Sequence, residues 1–91
     1  MIPKSRIPTH PGEILLQEFL NPMELSQTTL AAHLRVPVQR INELINGKRG
    51  ITPDTAWLLA GAFKTTPVFW MNLQAQHDLA KSRPAKTATP I

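Results

Sequence analysis

Residues 27–46 read QTTLAAHLRVPVQRINELIN, and this stretch decides the fold. Its apolar residues recur at helical spacing in two groups, Leu30 and Leu34 in the first and Ile41, Leu44 and Ile45 in the second. Ala31 is small, which suits two helices that are joined by a tight turn and approach each other closely. Two short amphipathic helices, connected through Arg35 and Val36, predict a helix-turn-helix.

Three further helices are predicted around this pair from their start and stop signals. Pro11, Pro53 and Pro67 suit the first position of a helix, and the last two follow a threonine that can cap it. Ser26 is a suitable cap for the helix after it, and Gly47 is a suitable stop. The expected helices span residues 11–20, 27–34, 38–46, 53–64 and 67–81. Because strand-like alternation is lacking, the predicted fold class is all-α with five helices.

The composition bounds the size and class of the protein. A chain of 91 residues, 42% of them hydrophobic, supports one domain with a modest core. We expect a flexible basic arm at residues 1–9, a helix-turn-helix domain at 10–81 and a flexible tail at 82–91. The absence of cysteine excludes disulfides and thiolate metal sites, and it suits a cytoplasmic protein without requiring one.

The formal charge of +4 is unevenly distributed along the chain. Residues 10–80 carry five basic and six acidic residues, so this part is close to neutral. Within it, residues 35–49 hold four bases and only one acid. A patch of this kind attracts phosphates even though the whole domain is not basic.

The outer face of the second helix of the pair carries the candidate base-reading residues. They are Val38, Gln39, Arg40, Asn42 and Glu43. In a major groove, Gln and Asn can pair with adenine, Arg with guanine and Glu with cytosine. The alternative is an ordinary solvated helix face, but the adjoining bases and the complete apolar register favour readout of double-stranded DNA.

A second set of residues around this helix suits the phosphate backbone. They are Gln27, Thr28, Arg35, Asn46, Lys48 and Arg49. The first two stand at the start of a helix, where exposed N–H groups bind phosphate. A solvated loop that serves solubility is the alternative for Lys48 and Arg49.

The remaining helices are expected to supply the core and a dimer surface. Trp57 and Trp70 are predicted to be core anchors, since stacking platforms for bases are the less favoured alternative. The last helix, about residues 67–81, lies beyond the minimal helix-turn-helix, and dimer formation is its expected role. Its candidate seam is Met71, Gln74, Ala75 and Asp78.

No catalytic or metal site is expected. His10, His33 and His77 fall in different helices without metal-ligand spacing, and no phosphate-cradling glycine loop occurs. His10 is expected to help begin the first helix, and the other two histidines to lie on the surface. The sequence therefore predicts a protein that is not an enzyme and needs no cofactor.

Three segments outside the central pair carry a family resemblance. The runs HPGEIL from residue 10, NGKRGITPDTAWLLAGAF from residue 46 and TPVFWMNLQAQHDL from residue 66 resemble the HigA-type antitoxins. These are VapI-like regulators of the Xre, or lambda-repressor-like, family. The resemblance covers about residues 9–80.

The resemblance implies a homodimer on a palindromic operator that represses its own operon. It also implies a toxin partner, a HigB-like RNase that cuts mRNA and is neutralised by the antitoxin. Two alternatives stay open: a stand-alone regulator of the same family without a toxin, and an interaction module that does not bind DNA.

Three departures from the family pattern are visible. Arg35 occupies a turn position where glycine is usual, and Pro37 replaces a serine or threonine at the start of the second helix of the pair. Leu58 and Val68 stand where charged residues are usual. They either enlarge an apolar partner surface or are single exposed residues of no consequence.

Overall fold

The computed structural model describes residues 9–82, 84 and 88–91. Helix α1 (Pro11–Ile14) runs directly into a π-helical segment (Leu15–Leu20), and α2 (Gln27–Leu34), α3 (Val38–Ile45), α4 (Pro53–Phe63) and α5 (Pro67–Lys81) follow. Within these residues there is no strand, so the predicted all-α class is confirmed. The predicted basic arm lies outside the described residues except for Thr9, as do four residues of the predicted tail.

The helix starts agree with the capping residues predicted from the sequence. The side chains of Ser26, Thr52 and Thr66 each accept a hydrogen bond from the backbone N–H three residues later, at 3.0, 3.4 and 3.1 Å. Pro53 and Pro67 occupy the first helical positions. Gly47 follows the end of α3 with a φ of +74°, a left-handed conformation that favours glycine.

The segment after α1 differs from the α-helix that was predicted there. Leu15 and Leu20 are both fully buried, although five residues of an α-helix would turn them about 140° apart. The N–H groups of Asn21 and Leu25 instead donate to carbonyls five residues back, both at 2.9 Å. This wider turn brings both leucines onto the core side.

The core is formed by residues from the π-helical segment, from α2 to α5 and from the loop before α4. Its buried apolar members are Leu15, Leu20, Leu30, Ala31, Ile41, Leu44, Ile51, Ala56, Leu59, Ala60 and Trp70. The Trp70 indole N–H donates to Thr65 Oγ1 at 2.7 Å, and Phe19 and Phe69 pack against the ring. Among the described helices, none combines the length and apolarity that would cross a bilayer.

The prediction that Trp57 anchors the core is wrong. Its side chain is 69% exposed, whereas that of Trp70 is fully buried. Helix α4 buries Ala56, Leu59 and Ala60, and at about 100° per residue Trp57 falls to one side of this buried face. Val68 is exposed as well, and Leu58 is half-buried.

Gly12 lets α1 lie against the carboxyl end of α3. A Cβ atom at this buried position would overlap the Leu44 carbonyl oxygen and stand 2.9 Å from the Ile45 Cα atom. Both neighbours are backbone atoms that cannot rotate away. The absence of a side chain at residue 12 therefore fixes the distance between the two helices.

Alanine substitutions at Gly12 and Gly61 should have opposite effects on the free energy of unfolding. Gly12→Ala forces a backbone clash and should lower it by about 3 kcal/mol. Gly61 lies in α4 with open space where a Cβ would stand, so Gly61→Ala should raise it by about 0.5–1 kcal/mol. Urea unfolding followed by circular dichroism measures both. Equal effects of the two substitutions would contradict the close approach of α1 to α3.

Candidate nucleic-acid interface

Helix α3 has one buried face and one polar, exposed face. Ile41 and Leu44 point into the core, and Ile45 packs against it. The rest of the helix surface presents exposed residues from the predicted reading set and the predicted phosphate set, which are Val38, Gln39, Asn42 and Asn46. The structure thus brings most of the predicted reading residues together on one accessible surface.

Three amide side chains on this surface form a hydrogen-bonded row. Asn46 Nδ2 donates to Asn42 Oδ1 at 3.1 Å, and Asn42 Nδ2 donates to Gln27 Oε1 at 3.3 Å. The row connects the first residue of α2 to the end of α3. It holds the Asn42 amide in one orientation while leaving it one N–H and one oxygen lone pair.

Arg40 does not join the other predicted reading residues. Its Nη2 atom donates to Asp54 Oδ2 at 2.9 Å and to the Thr55 hydroxyl at 2.7 Å, so the guanidinium lies against the start of α4. The side chain is 25% exposed, and Thr55 is buried. This geometry favours a role in positioning α3 on α4, and contact of Arg40 with a base stays a prediction.

Glu43 and Arg49 form an ion pair at the edge of the exposed face. Both Nε and Nη2 of Arg49 donate to Glu43 Oε1, at 3.2 and 3.0 Å. This ion pair neutralises the charge of Glu43, the only acid in residues 35–49, and Lys48 beside the pair is exposed. The loop after α3 therefore keeps a positive character.

The turn between α2 and α3 is built on a left-handed residue. Arg35 has a φ of +59°, and the N–H groups of Arg35 and Val36 close α2 by donating to Ala32 and Ala31. This backbone costs an arginine about 1 kcal/mol more than it costs glycine. Pro37 stands at the cap position of α3 and makes no side-chain hydrogen bond there. The Arg35 side chain is exposed next to α3.

The three histidines have different environments. His10 caps α1, since its Nδ1 accepts from the Gly12 N–H at 2.9 Å, as expected. His77 is half-buried with its ring 4.9 Å from that of His10, so the expectation of a surface residue is wrong for His77 and right for the exposed His33. Burial and the neighbouring His77 lower the pKa of His10, which favours the neutral ring that can accept the hydrogen bond.

Comparison with known proteins places this geometry in a family. Residues 16–70, from the π-helical segment to the start of α5, match the family model described as Helix-turn-helix. The chain belongs to the helix-turn-helix family. Virulence-associated protein I of Dichelobacter nodosus is 43% identical over 89 residues, which are 97% of this chain and 82% of that protein.

Solved structures of similar helix-turn-helix proteins include complexes with DNA. The Pseudomonas aeruginosa antitoxin HigA with the higBA promoter matches with a TM-score of 0.80 and 43% identity, over 82% of each chain. A second Pseudomonas aeruginosa structure, in complex with operator DNA, matches with a TM-score of 0.86 and 38% identity, over 92% of this chain and 97% of that chain. The resemblance to the HigA-type antitoxins is thereby confirmed.

The candidate dimer seam on α5 needs a correction in this helix-turn-helix protein. Gln74, predicted to face outward, is 9% exposed, and Met71 packs partly against the core. Only Ala75 and Asp78 of the predicted seam are exposed. Gln74 stands one helical turn after the buried Trp70, and this spacing is the sequence signal that places it on the inner face.

Gln74 ties α5 to the loop that follows α3. Its Oε1 accepts a hydrogen bond from the Ile51 N–H at 2.6 Å, and its Nε2 donates to Asp78 at 2.9 Å. The loop backbone passes close to it, because a Cβ at Gly50 would stand 3.0 Å from the Gln74 carboxamide. Sequence reasoning missed this residue, which holds the segment carrying Lys48 and Arg49 in place.

Gln74→Ala should loosen this loop and destabilise the fold. The substitution leaves the buried Ile51 N–H without its acceptor, which costs about 1–3 kcal/mol of unfolding free energy. Amide hydrogen exchange should accelerate at Ile51 by about tenfold or more. The exposed Gln76→Ala on the same helix is the control and should change neither quantity. Unchanged protection of Ile51 in Gln74→Ala would contradict the role of this hydrogen bond.

Proposed function

We propose that this helix-turn-helix protein binds duplex operator DNA with α3 in the major groove. The observation that carries the proposal is the exposed amide face of α3, with Arg35 before it and Lys48 and Arg49 after it in the chain. Uncharged hydrogen-bonding groups on a protruding helix suit base edges, and the flanking cations suit the two phosphate strands that border a groove. The DNA complexes of the similar Pseudomonas aeruginosa proteins support this function.

The start of α2 supplies a further phosphate contact in this proposal. Gln27 and Thr28 form its first turn, and the Ser26 side chain caps only the N–H of Thr29. The preceding N–H groups can therefore point at a phosphate at the positive end of the helix. With Arg35, Asn46, Lys48 and Arg49, these residues form the proposed phosphate-binding set.

We infer that two copies bind a palindromic operator through contacts between their α5 helices. Leu79 is 74% exposed on this helix, and Ala75 and Asp78 lie beside it on an open, mainly apolar surface. A large apolar side chain in that setting suits an interface between copies. We therefore propose that the seam consists of Ala75, Asp78 and Leu79.

We further propose that the protein is an antitoxin that represses its own operon and neutralises a HigB-like RNase. The similarity to the HigA antitoxin supports this assignment. A regulator without a toxin would keep the DNA-binding function and lack the protein partner.

Charge removal at Lys48 should weaken binding to all DNA sequences alike. With Lys48→Gln, the slope of log K against log salt should become shallower by about one unit for each phosphate contact removed. Lys64→Gln is the matched control, because Lys64 is an exposed lysine at the end of α4, away from α3. Fluorescence anisotropy titrations at several salt concentrations measure the slope. An equal change with both variants would contradict the phosphate role of Lys48.

Growth of bacteria tests the antitoxin assignment. Induced expression of the reading frame adjacent to the gene should stop growth. Co-expression of this protein should restore growth, and the protein should co-purify with the toxin. The antitoxin assignment fails if the neighbour is harmless, or if rescue and co-purification are both absent. Operator binding by the same preparation would then identify a stand-alone regulator.

A further inference from the structure

We infer that the reading face of α3 selects half-sites built from adenine·thymine pairs, with adenine contacted through its N7 and N6 atoms. This inference rests on the proposed function and deepens it, because it names the bases that the helix recognises. Its basis is the chemistry of the side chains that the fold leaves exposed on α3, and of those that it engages elsewhere.

The exposed polar groups on this face are carboxamides. Gln39, Asn42 and Asn46 all present amides, and Gln27 adds another from the start of α2. A carboxamide offers one acceptor and one donor side by side, which match the N6 amino group and the N7 atom of adenine in the major groove. Guanine presents two acceptors there, so it cannot satisfy both parts of an amide.

Asn42 is held by two hydrogen bonds and keeps free groups for such a contact. One of its N–H groups donates to Gln27, and its oxygen accepts from Asn46. The amide keeps one N–H and one lone pair, which is the pair that adenine requires. Because both neighbours are themselves amides, the row fixes the side chain without introducing a charge.

Val38 adds an apolar contact at the start of the same helix. Its side chain is 45% exposed next to the amide row. In the major groove, thymine carries a methyl group that cytosine lacks. An exposed valine at this place suits the thymine methyl of an adenine·thymine pair.

The side chains suited to guanine and cytosine are engaged within the protein. Arg40 is held by Asp54 and the buried Thr55, and a guanine contact through the same Nη2 atom would break both hydrogen bonds. The Glu43 carboxylate receives two hydrogen bonds from Arg49. Arg40 and Glu43, which suit guanine and cytosine, thus form hydrogen bonds within the protein, whereas the amides are exposed.

Selection from random duplexes with the full-length protein tests the inference. The selected half-sites should contain adenine at two or more fixed positions. Replacing such an adenine with 7-deazaadenine removes the N7 acceptor and should weaken binding about tenfold. Replacing the facing thymines with deoxyuridine removes the methyl groups and should weaken binding about threefold.

Two variants test whether the Asn42 side chain makes the adenine contact. In Asn42→Ala, the penalty for 7-deazaadenine should disappear at one position and persist at the others. Asn72→Ala, which removes an exposed amide from α5, should keep every penalty. Half-sites with fixed guanines and sensitivity to 7-deazaguanine would overturn the inference while leaving the proposed function intact. Failure to bind any duplex in a saturable, salt-dependent way would overturn both.

Discussion

The close approach of α1 to the carboxyl end of α3 depends on the missing side chain of Gly12, and the position of α3 depends on that contact. Two polar ties complete the support. Arg40 joins α3 to the first turn of α4, and the Gln74 carboxamide joins the following loop to α5. The helix that carries the exposed amides is therefore held by α1 and α4, and the loop that follows it is held by α5. The inner face of α3 packs in the core, and its outer face is exposed.

This arrangement separates the tasks of the polar residues. Charged side chains near α3 either form ion pairs with other residues of the protein, as Arg40 does with Asp54, or are exposed beside the helix, as Lys48 is. Neutral amides occupy the surface between them. A central group of exposed amides flanked by cations suits a groove bordered by phosphates. Phosphate contacts position the protein on the duplex, and base contacts give selectivity. The same logic connects the proposed operator binding to the base preference inferred for α3.

The helices could be predicted from the sequence because their signals are local. Ser26, Thr52 and Thr66 cap the helices that they were expected to cap. The errors occur where a side chain's surroundings come from distant parts of the chain. The burial of Gln74 depends on the Ile51 backbone, and the π-helical turn depends on the core drawing in both Leu15 and Leu20. The exposure of Trp57 was predictable from local spacing, since this residue lies off the stripe formed by the buried Ala56, Leu59 and Ala60.

The boundaries of α3 limit how much sequence one copy can distinguish. Pro37 stands at its start and the left-handed Gly47 follows its end, so the helix is confined to eight residues. Such a helix is about 12 Å long and spans about four stacked base pairs. A four-base word recurs by chance about every 256 positions, far too often to mark one promoter in a genome with millions of competing sites. Two copies acting together would square that rarity to one in about 65,000 positions, so pairing would supply much of the sequence information that a single α3 lacks.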